Sequence, residues 1–285
     1  MEKIAIMTDV NAGLDYDDKH YDITVLRSMI NFGDEHYIDG VEIKAKEFYK
    51  RLQKTKVIPS TSAPTVGETM QYLDQMVANG YTDVIMYSIS YKLSCIGTMV
   101  ESLIEEYKDK IKIHVVDTKT SASSQGYMAN VAYEMARDGK SVQEILDYSN
   151  YLIEREQVYF VVDDLMYLVK NGRLSGVAGT LGSLLQIKPI LEINKDGYIV
   201  VKQKERAQRR ALEALKKLFV EKTKNSNNVV LTVYHTCREE DAKNLLAEYM
   251  KEFPCIKEGN VSMISPAVGA HIGCNVLGIG LFALD

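Results

Sequence analysis

The sequence predicts an α/β protein of two lobes, the first on a mainly parallel sheet and the second on a mixed one, with a ligand in the cleft between them. Three observations carry this. Through the first half, short β-rich runs alternate with longer helical periods, the rhythm of βαβ units. After about Gln157 the rhythm changes, and Pro189–Ile193 and Tyr198–Lys202 flank Asn194-Lys195-Asp196-Gly197, a β-hairpin turn that makes the second sheet mixed. A length of 285 residues fits one large domain or two. The division is expected at residues 1–156 and 157–285, the two lobes forming one unit.

Each element has a local reason. Lys3–Thr8 is a buried first strand. Thr69–Asn79 sets Met70, Leu73, Met76 and Val77 on one helical face, and Gly80 follows where a helix stops. Val84–Tyr87 is a strand, Val100–Tyr107 a helix, Ile113–Val116 a strand. Gln125–Arg137 is a long helix with Val131, Ala132 and Met135 on one stripe; Asp138-Gly139 ends it, and Ser141 with Glu144 forms a capping box for the next. In the second half, strand Val158–Val162, short helix Asp163–Lys170 and a Gly-rich run from Gly172 to Gly182 precede the hairpin. Helix Arg206–Lys222, strand Val229–Tyr234, helix Glu239–Met250 and strand Val261–Ile264 follow.

Composition narrows the function. Thirty-four Lys and Arg against 39 Asp and Glu give a net charge of −5, which argues against a protein devoted to phosphate backbones. No apolar run approaches ~18 residues, and MEKIAIMTDV lacks the pattern of a signal peptide. Cys95, Cys237, Cys255 and Cys274 share no CxxC spacing, so the expectation is a cytoplasmic protein with reduced, chemically idle thiols. There is no GxxxxGK[ST] loop and no HExxH or paired-cysteine zinc spacing, so neither a Walker-type phosphate cradle nor a metal site is expected. Gly278-Ile279-Gly280 with Ala283 matches GxGxxA, but only two residues follow, so it reads as a strand with close-packed glycines. In Gly172-Arg173-Leu174-Ser175-Gly176 the serine stands one place late for a nucleophile elbow.

Hydroxyls gather in three places. Pro59-Ser60-Thr61-Ser62-Ala63-Pro64-Thr65 reads as a turn ahead of a helix, either a simple N-cap or a carboxylate or phosphate site. Ser88–Ser94 runs out from a strand end, where open α/β sheets bind ligands. Asp117–Ser124 follows another strand end and reads as a polar turn capping the next helix. Arg173 is suited to an anion or to an ion pair with Asp163 or Asp164. His271, in an apolar Gly-rich loop, is either a satisfied core residue or an imidazole donating to a buried carboxylate. Leu181–Leu185 and Ile187–Leu191 are core runs or the lining of a hydrocarbon pocket.

In this order the segments resemble the DegV family, the bacterial fatty-acid-binding proteins. The resemblance rests on Thr61-Ser62-Ala63-Pro64; Ser90 to Leu93-Ser94; Asp117 with Gln125-Gly126; Asp164-Leu165 through Tyr167-Leu168 to Gly172-Arg173; Gly182–Leu185 with Ile187–Ile190; and Gly269 with His271. It implies a long-chain fatty acid, such as palmitate, buried between the lobes, with no other cofactor. It implies a carboxylate held by Thr61, Ser94, Arg173 and His271, with Ser62 beside Thr61, and an acyl chain along Leu93, Leu184, Leu185, Ile187 and Ile190. Some members are the non-catalytic acyl-carrying subunit of a fatty acid kinase, presenting the carboxylate to a separate ATP-binding partner; the missing P-loop accords with that. The chain departs from the pattern at Cys95-Ile96 after Ser94, at Thr118 after Asp117, at Asn171 before Gly172-Arg173, and at Gly273-Cys274-Asn275 in place of Gly-Pro-Gly. The rival reading is a serine acyl-hydrolase or acyltransferase using Ser94 and His271, which requires a base in hydrogen-bond reach and a third group orienting it.

Overall fold

The computed structural model describes residues 2–176 and 187–285; the expected lining residues Leu184 and Leu185 lie outside them. Strand β1 (Ile4–Asp9) sits inside a four-stranded parallel sheet of order β2-β1-β6-β7, with β2 at Thr24–Leu26, β6 at Asp83–Ser88 and β7 at Lys112–Asp117. The two inner strands, β1 and β6, are buried on both faces, so they read as continuous apolar runs. Alternation still sorts their side chains. Ala5, Met7, Val84 and Met86 pack under helices α2 (Val66–Ala78), α3 (Ile96–Glu101) and α4 (Ile104–Tyr107). Ile6, Ile85 and Tyr87 pack under α5 (Ala122–Arg137) and α6 (Val142–Arg155).

The expected capping box of Ser141 with Glu144 forms on α6, and a second one, Thr65 with Glu68, opens α2. The helix expected at Val100–Tyr107 is two short helices instead. The Ser102 hydroxyl donates to Met99 O at 2.6 Å, and Leu103 N tightens onto Val100 O, so the α-helical ladder stops there. An antiparallel sheet β4-β3-β5, with β3 at Met29–Phe32, β4 at Glu35–Ile38 and β5 at Ser60–Ser62, and helix α1 (Ala45–Leu52) have no counterpart in the sequence reading. The strands there are short and carry the polar run Glu35-His36, which hides the alternation.

The second lobe is a six-stranded mixed sheet, β10-β9-β8-β13-β11-β12. Its strands are β8 (Glu156–Val161), β9 (Lys188–Ile193), β10 (Ile199–Glu205), β11 (Val229–His235), β12 (Ile256–Met263) and β13 (Leu277–Ala283). The predicted hairpin is β9–β10, antiparallel, and β13 holds the close-packed glycines. One face, with Val161, Leu231, Val233 and Ile279, lies under α8 (Gln208–Thr223) and α9 (Glu239–Glu252). The other face turns Val158, Phe160 and Tyr234 toward Ile89, Leu93 and Ala122 of the first lobe. Strand β12 begins earlier than expected because it is an edge strand with several exposed positions, which mutes its apolar pattern.

Helix α7 (Met166–Lys170) and helix α10 (Pro266–Ile272) are the remaining α-helices among the described residues. The segment around His271, expected as a loop, is α10. Pro266 at its first position suits a helix start, and Gly269, read as a loop signal, is a close-packing residue whose missing Cβ leaves room for Tyr49 and Phe48.

Candidate functional site

A narrow cavity lies between the lobes, lined from Asn11, Thr61, Ile89 and Ser94 on one side to Phe160, Tyr234 and His271 on the other. It offers about 90 Å³ to the centre of a water-sized sphere. One water needs ~10–15 Å³ on that measure, so this space has room for several non-hydrogen atoms. Its walls are chiefly apolar, and its polar groups are few and identifiable.

The carboxyl ends of β1 and β6 form the floor. The buried Asp9 accepts Asn11 N at 3.0 Å, Asn11 Nδ2 at 2.7 Å and Ile89 N at 2.9 Å, which locks the two strand exits together. Burial raises the Asp9 pKa, and these donors oppose the rise. The Ser121 hydroxyl also faces the cavity, buried and with no partner among the described residues, next to Ala122 in left-handed backbone (φ 58).

Thr61 stands on β5 opposite Ile30, not in a turn at a helix start; α2 begins later, capped by Thr65. Its Oγ1 lies 2.8 Å from His271 Nε2. Ser62, one residue on, faces the opposite way: it is exposed and accepts Asn31 Nδ2 at 3.0 Å. Burial, and then the Arg173 charge, push the His271 pKa down to about 4, so its ring is neutral near pH 7. His271 Nδ1 is buried without a partner among the described residues. An orphaned lone pair costs less than an orphaned N–H. The favoured tautomer therefore carries the proton on Nε2 and donates it to Thr61, which frees the Thr61 hydroxyl hydrogen for a ligand.

Ser94 closes a tight turn in which Leu93 N and Ser94 N both donate to Ser90 O, and its Oγ accepts Ile96 N at 3.4 Å at the start of α3. Arg173 Nε donates to Leu93 O at 2.9 Å and Nη1 to Asn171 O at 2.6 Å, which holds the guanidinium against that turn. The expected ion pair with Asp163 or Asp164 does not form: Asp163 pairs with Lys188, and Asp164 accepts Met166 N. Thr61, Ser94, Arg173 and His271 all line the one cavity. No Ser94–His271 hydrogen bond is present, and no acid orients Nδ1 among the described residues, so a nucleophile–base pair is not assembled here.

Helix α10, which carries His271, is fixed from the first lobe. Asp39, fully buried, accepts Ala267 N at 2.7 Å, and burial pushes its pKa up to about 7. Asn171 Nδ2 reaches Ala270 O at 3.2 Å and Pro59 O at 3.3 Å, so this residue ties α10 to the approach of β5.

The apolar wall is the front of the mixed sheet. Leu93 lines it, and Ile187 packs against the same cluster, but Ile190 points to the opposite face, under α8. Val158, Phe160, Ile193, Ile199 and Tyr234 line it instead. The sequence reading missed them because alternation alone does not tell which set of a doubly buried strand meets the cavity. Gly278 and Gly280 make this wall possible. A Cβ at Gly278 would fall 2.5 Å from Phe160 Cβ, and one at Gly280 2.1 Å from Tyr234 Oη.

The third hydroxyl cluster, expected to cap a helix, is the seam between the lobes. Ser123 donates to Ser262 at 2.5 Å, Ser124 Oγ meets Tyr234 Oη at 2.6 Å, and Thr120 donates to Glu156 at 2.8 Å. Ser90 adds a bond to Gly197 O at 2.9 Å. Among the described residues no ion pair joins the residues before Glu156 to those from Glu156 onward. Also among them, no helix is long and apolar enough to cross a membrane, and no cluster of three or more His, Cys, Asp or Glu is arranged to hold a metal.

This architecture is shared. The DegV domain-containing protein CA_C1624 of Clostridium acetobutylicum is 34% identical over 284 residues, covering 99% of each chain. The crystal structure of the fatty acid binding DegV family protein SAG1342 from Streptococcus agalactiae superposes with a TM-score of 0.91 at 28% identity, covering 100% of both chains. That of DegV, a fatty acid binding protein from Bacillus subtilis, gives 0.89 at 28% identity, over 99% of this chain and 100% of that one. The family profile described as "Uncharacterised protein, DegV family" matches residues 3–284, and the chain belongs to the DegV family.

Proposed function

We propose that this protein binds a long-chain fatty acid in the cavity between its lobes and presents the carboxylate to a separate ATP-dependent kinase subunit, without catalysis of its own, in the cytoplasm. The observation that supports it is the pairing of one polar cluster, Thr61–His271 beside Ser94 and Arg173, with walls that are otherwise apolar. The two similar structures whose names give fatty acid binding add weight.

The division of labour follows from magnitudes. About 15 methylenes at ~0.8 kcal/mol each give on the order of 12 kcal/mol, before the costs of association. The tail therefore supplies affinity. A bare buried carboxylate would be costly or forced to protonate, so the head needs donors. The Thr61 hydroxyl, freed by the His271 tautomer, and the Ser94 hydroxyl supply two, and Arg173 supplies the countercharge.

Organic extraction of the protein purified without added lipid, with mass spectrometry of the extract, tests occupancy. A stoichiometric long-chain acid is expected. An empty extract that stays empty after a panel of acids is offered would refute the reading. Thr61→Val then tests the head group. Loss of a hydrogen bond to a charged group costs ~1.5–3 kcal/mol, so palmitate should bind roughly 10- to 100-fold more weakly while hexadecanol changes about twofold or less. Equal losses for both ligands would mean that the hydroxyl does not read the carboxylate.

A further inference from the structure

Two of the four cysteines are neighbours, although 37 positions separate them in the chain. Cys237 lies two residues beyond the end of β11, and Cys274 lies in the loop between α10 and β13. Thr236, fully buried, binds these two loops together: its N–H donates to Val276 O at 3.1 Å, its hydroxyl donates to Gly273 O at 3.0 Å, and Val276 N donates back to Thr236 Oγ1 at 2.9 Å. The β11–β13 register, His235 opposite Leu277, continues through this clasp and brings Cys237 alongside Asn275, the residue after Cys274. Left-handed backbone at Cys237 (φ 57) and Asn275 (φ 61) bends both loops out of the regular pleat. Both side chains consequently pack against the same cluster, with Tyr49 and Tyr167. Both thiols are free and only partly buried, so a small solute can reach them.

We propose that Cys237 and Cys274 form a modification site, a dithiol that closes to a reversible disulfide under peroxide-class oxidants and in doing so loosens the ligand cavity. The Cys237 thiolate attacks one oxygen of hydrogen peroxide, the O–O bond breaks, and the departing hydroxide takes a proton to leave as water. The Cys274 thiol then attacks the resulting sulfenic sulfur, the S–O bond breaks, and a second water departs with the Cys274 proton. Two thiols and one peroxide thus become one disulfide and two waters. Cys237 is the nucleophile on electrostatic grounds: hydrogen bonding from Cys274, joined by the Asn275 N–H and opposed by burial, lowers its pKa, while Cys274 is raised.

The link to the cavity is short. Cys274 stands three residues beyond His271, and Gly273 N closes the last turn of α10 on Gly269 O. A disulfide requires the two sulfurs to come together to ~2.05 Å. Cys237 is anchored at the end of a central strand, so the movement falls on Cys274 and the end of α10, and hence on the Thr61–His271 bond. This second step rests on the proposed fatty acid function; the first does not.

The test begins with the whole reduced protein, treated with a small excess of hydrogen peroxide and mapped by mass spectrometry without reduction. A peptide pair cross-linked through Cys237 and Cys274 is expected, reversed by dithiothreitol. In Cys274→Ser, Cys237 should instead become a dimedone-trappable sulfenic acid. Two intact thiols at 237 and 274, under conditions that oxidise the exposed Cys95, would overturn the inference. Palmitate titration of the reduced and oxidised forms follows. At least a fivefold weakening on oxidation, absent from the Cys237→Ser/Cys274→Ser protein, supports the link; a change below twofold refutes it. If palmitate binds neither form while the disulfide still appears, the fatty acid reading fails and the modification site stands.

Discussion

Replacing Gly280 by alanine tests how the cavity wall is built. Gly280 lies on β13, where alanine is locally tolerable, so any cost is steric. The new methyl would sit 2.1 Å from Tyr234 Oη and 2.6 Å from two of its ring carbons, where carbon contacts need ~3.5–4.0 Å. Tyr234 is fully buried against Ser124 at 2.6 Å, so the ring must give up that bond or lean into the cavity it lines. Overpacking of this kind costs about 1–3 kcal/mol, and a lost neutral hydrogen bond adds ~1 kcal/mol. Urea denaturation should therefore show a loss of about 2–4 kcal/mol at unchanged m-value, and the longest acids should be lost from the binding profile first. Tyr234→Phe in the same chain should recover part of the loss, because the nearest clash is the hydroxyl while the ring carbons remain close. A Gly280→Ala protein within ~0.5 kcal/mol of wild type, with an unchanged length profile, would refute this account of the wall.

Three further outcomes follow from the groups that hold α10. The Asp39 carboxyl has a folded pKa of about 7 against an ordinary 3.8, so the folded state holds its proton more tightly and stability falls as pH rises from about 4 to 7; the shift corresponds to up to about 4 kcal/mol. Asp39→Asn should flatten that slope in denaturation series between pH 4 and 8, and an identical slope in both proteins would mean that Asp39 does not titrate there. His271 has the opposite sign: depressed to about 4 from 6.5, it costs stability as pH falls through that window, about 3 kcal/mol in all, and His271→Gln should remove that acid-side loss. Asn171→Gly should cost about 1–2 kcal/mol by releasing the Ala270 and Pro59 carbonyls, read as a lowered urea midpoint.

The parallel sheet, the capping box at Ser141 and the Asn194–Gly197 hairpin were legible in the sequence because each rests on chemistry local to a few residues. The cleft followed from the two-lobe reading, but its lining was named only through resemblance, which gave Thr61, Ser94, Arg173 and His271 and also pointed to Ile190, on the far face of its strand. What stayed hidden is tertiary. No spacing reveals that a glycine on β13 makes room for a tyrosine on β11, or that Asp39 reaches an amide 228 positions away. The hydroxyls of Thr120–Ser124 illustrate the same limit: a helix cap and an inter-lobe seam call for the same residues, and only the partner strand distinguishes them.

That seam bears on kinetics. If release of the proposed acyl chain requires the lobes to part, the contacts to be broken at this seam are hydroxyl bonds to hydroxyls, carbonyls or one carboxyl, joined elsewhere by the Ala267–Asp39, Arg173–Leu93, Asn171–Pro59 and Thr61–His271 bonds, with no crossing ion pair among the described residues. Mobile ions screen attraction between opposite charges and have little purchase on such dipolar contacts. The barrier to exchange should therefore hardly change with ionic strength, while excluded salts that strengthen apolar burial should slow release. On the proposed reading, the seam makes cargo retention respond more to changes in apolar burial than to screening of charges between the lobes.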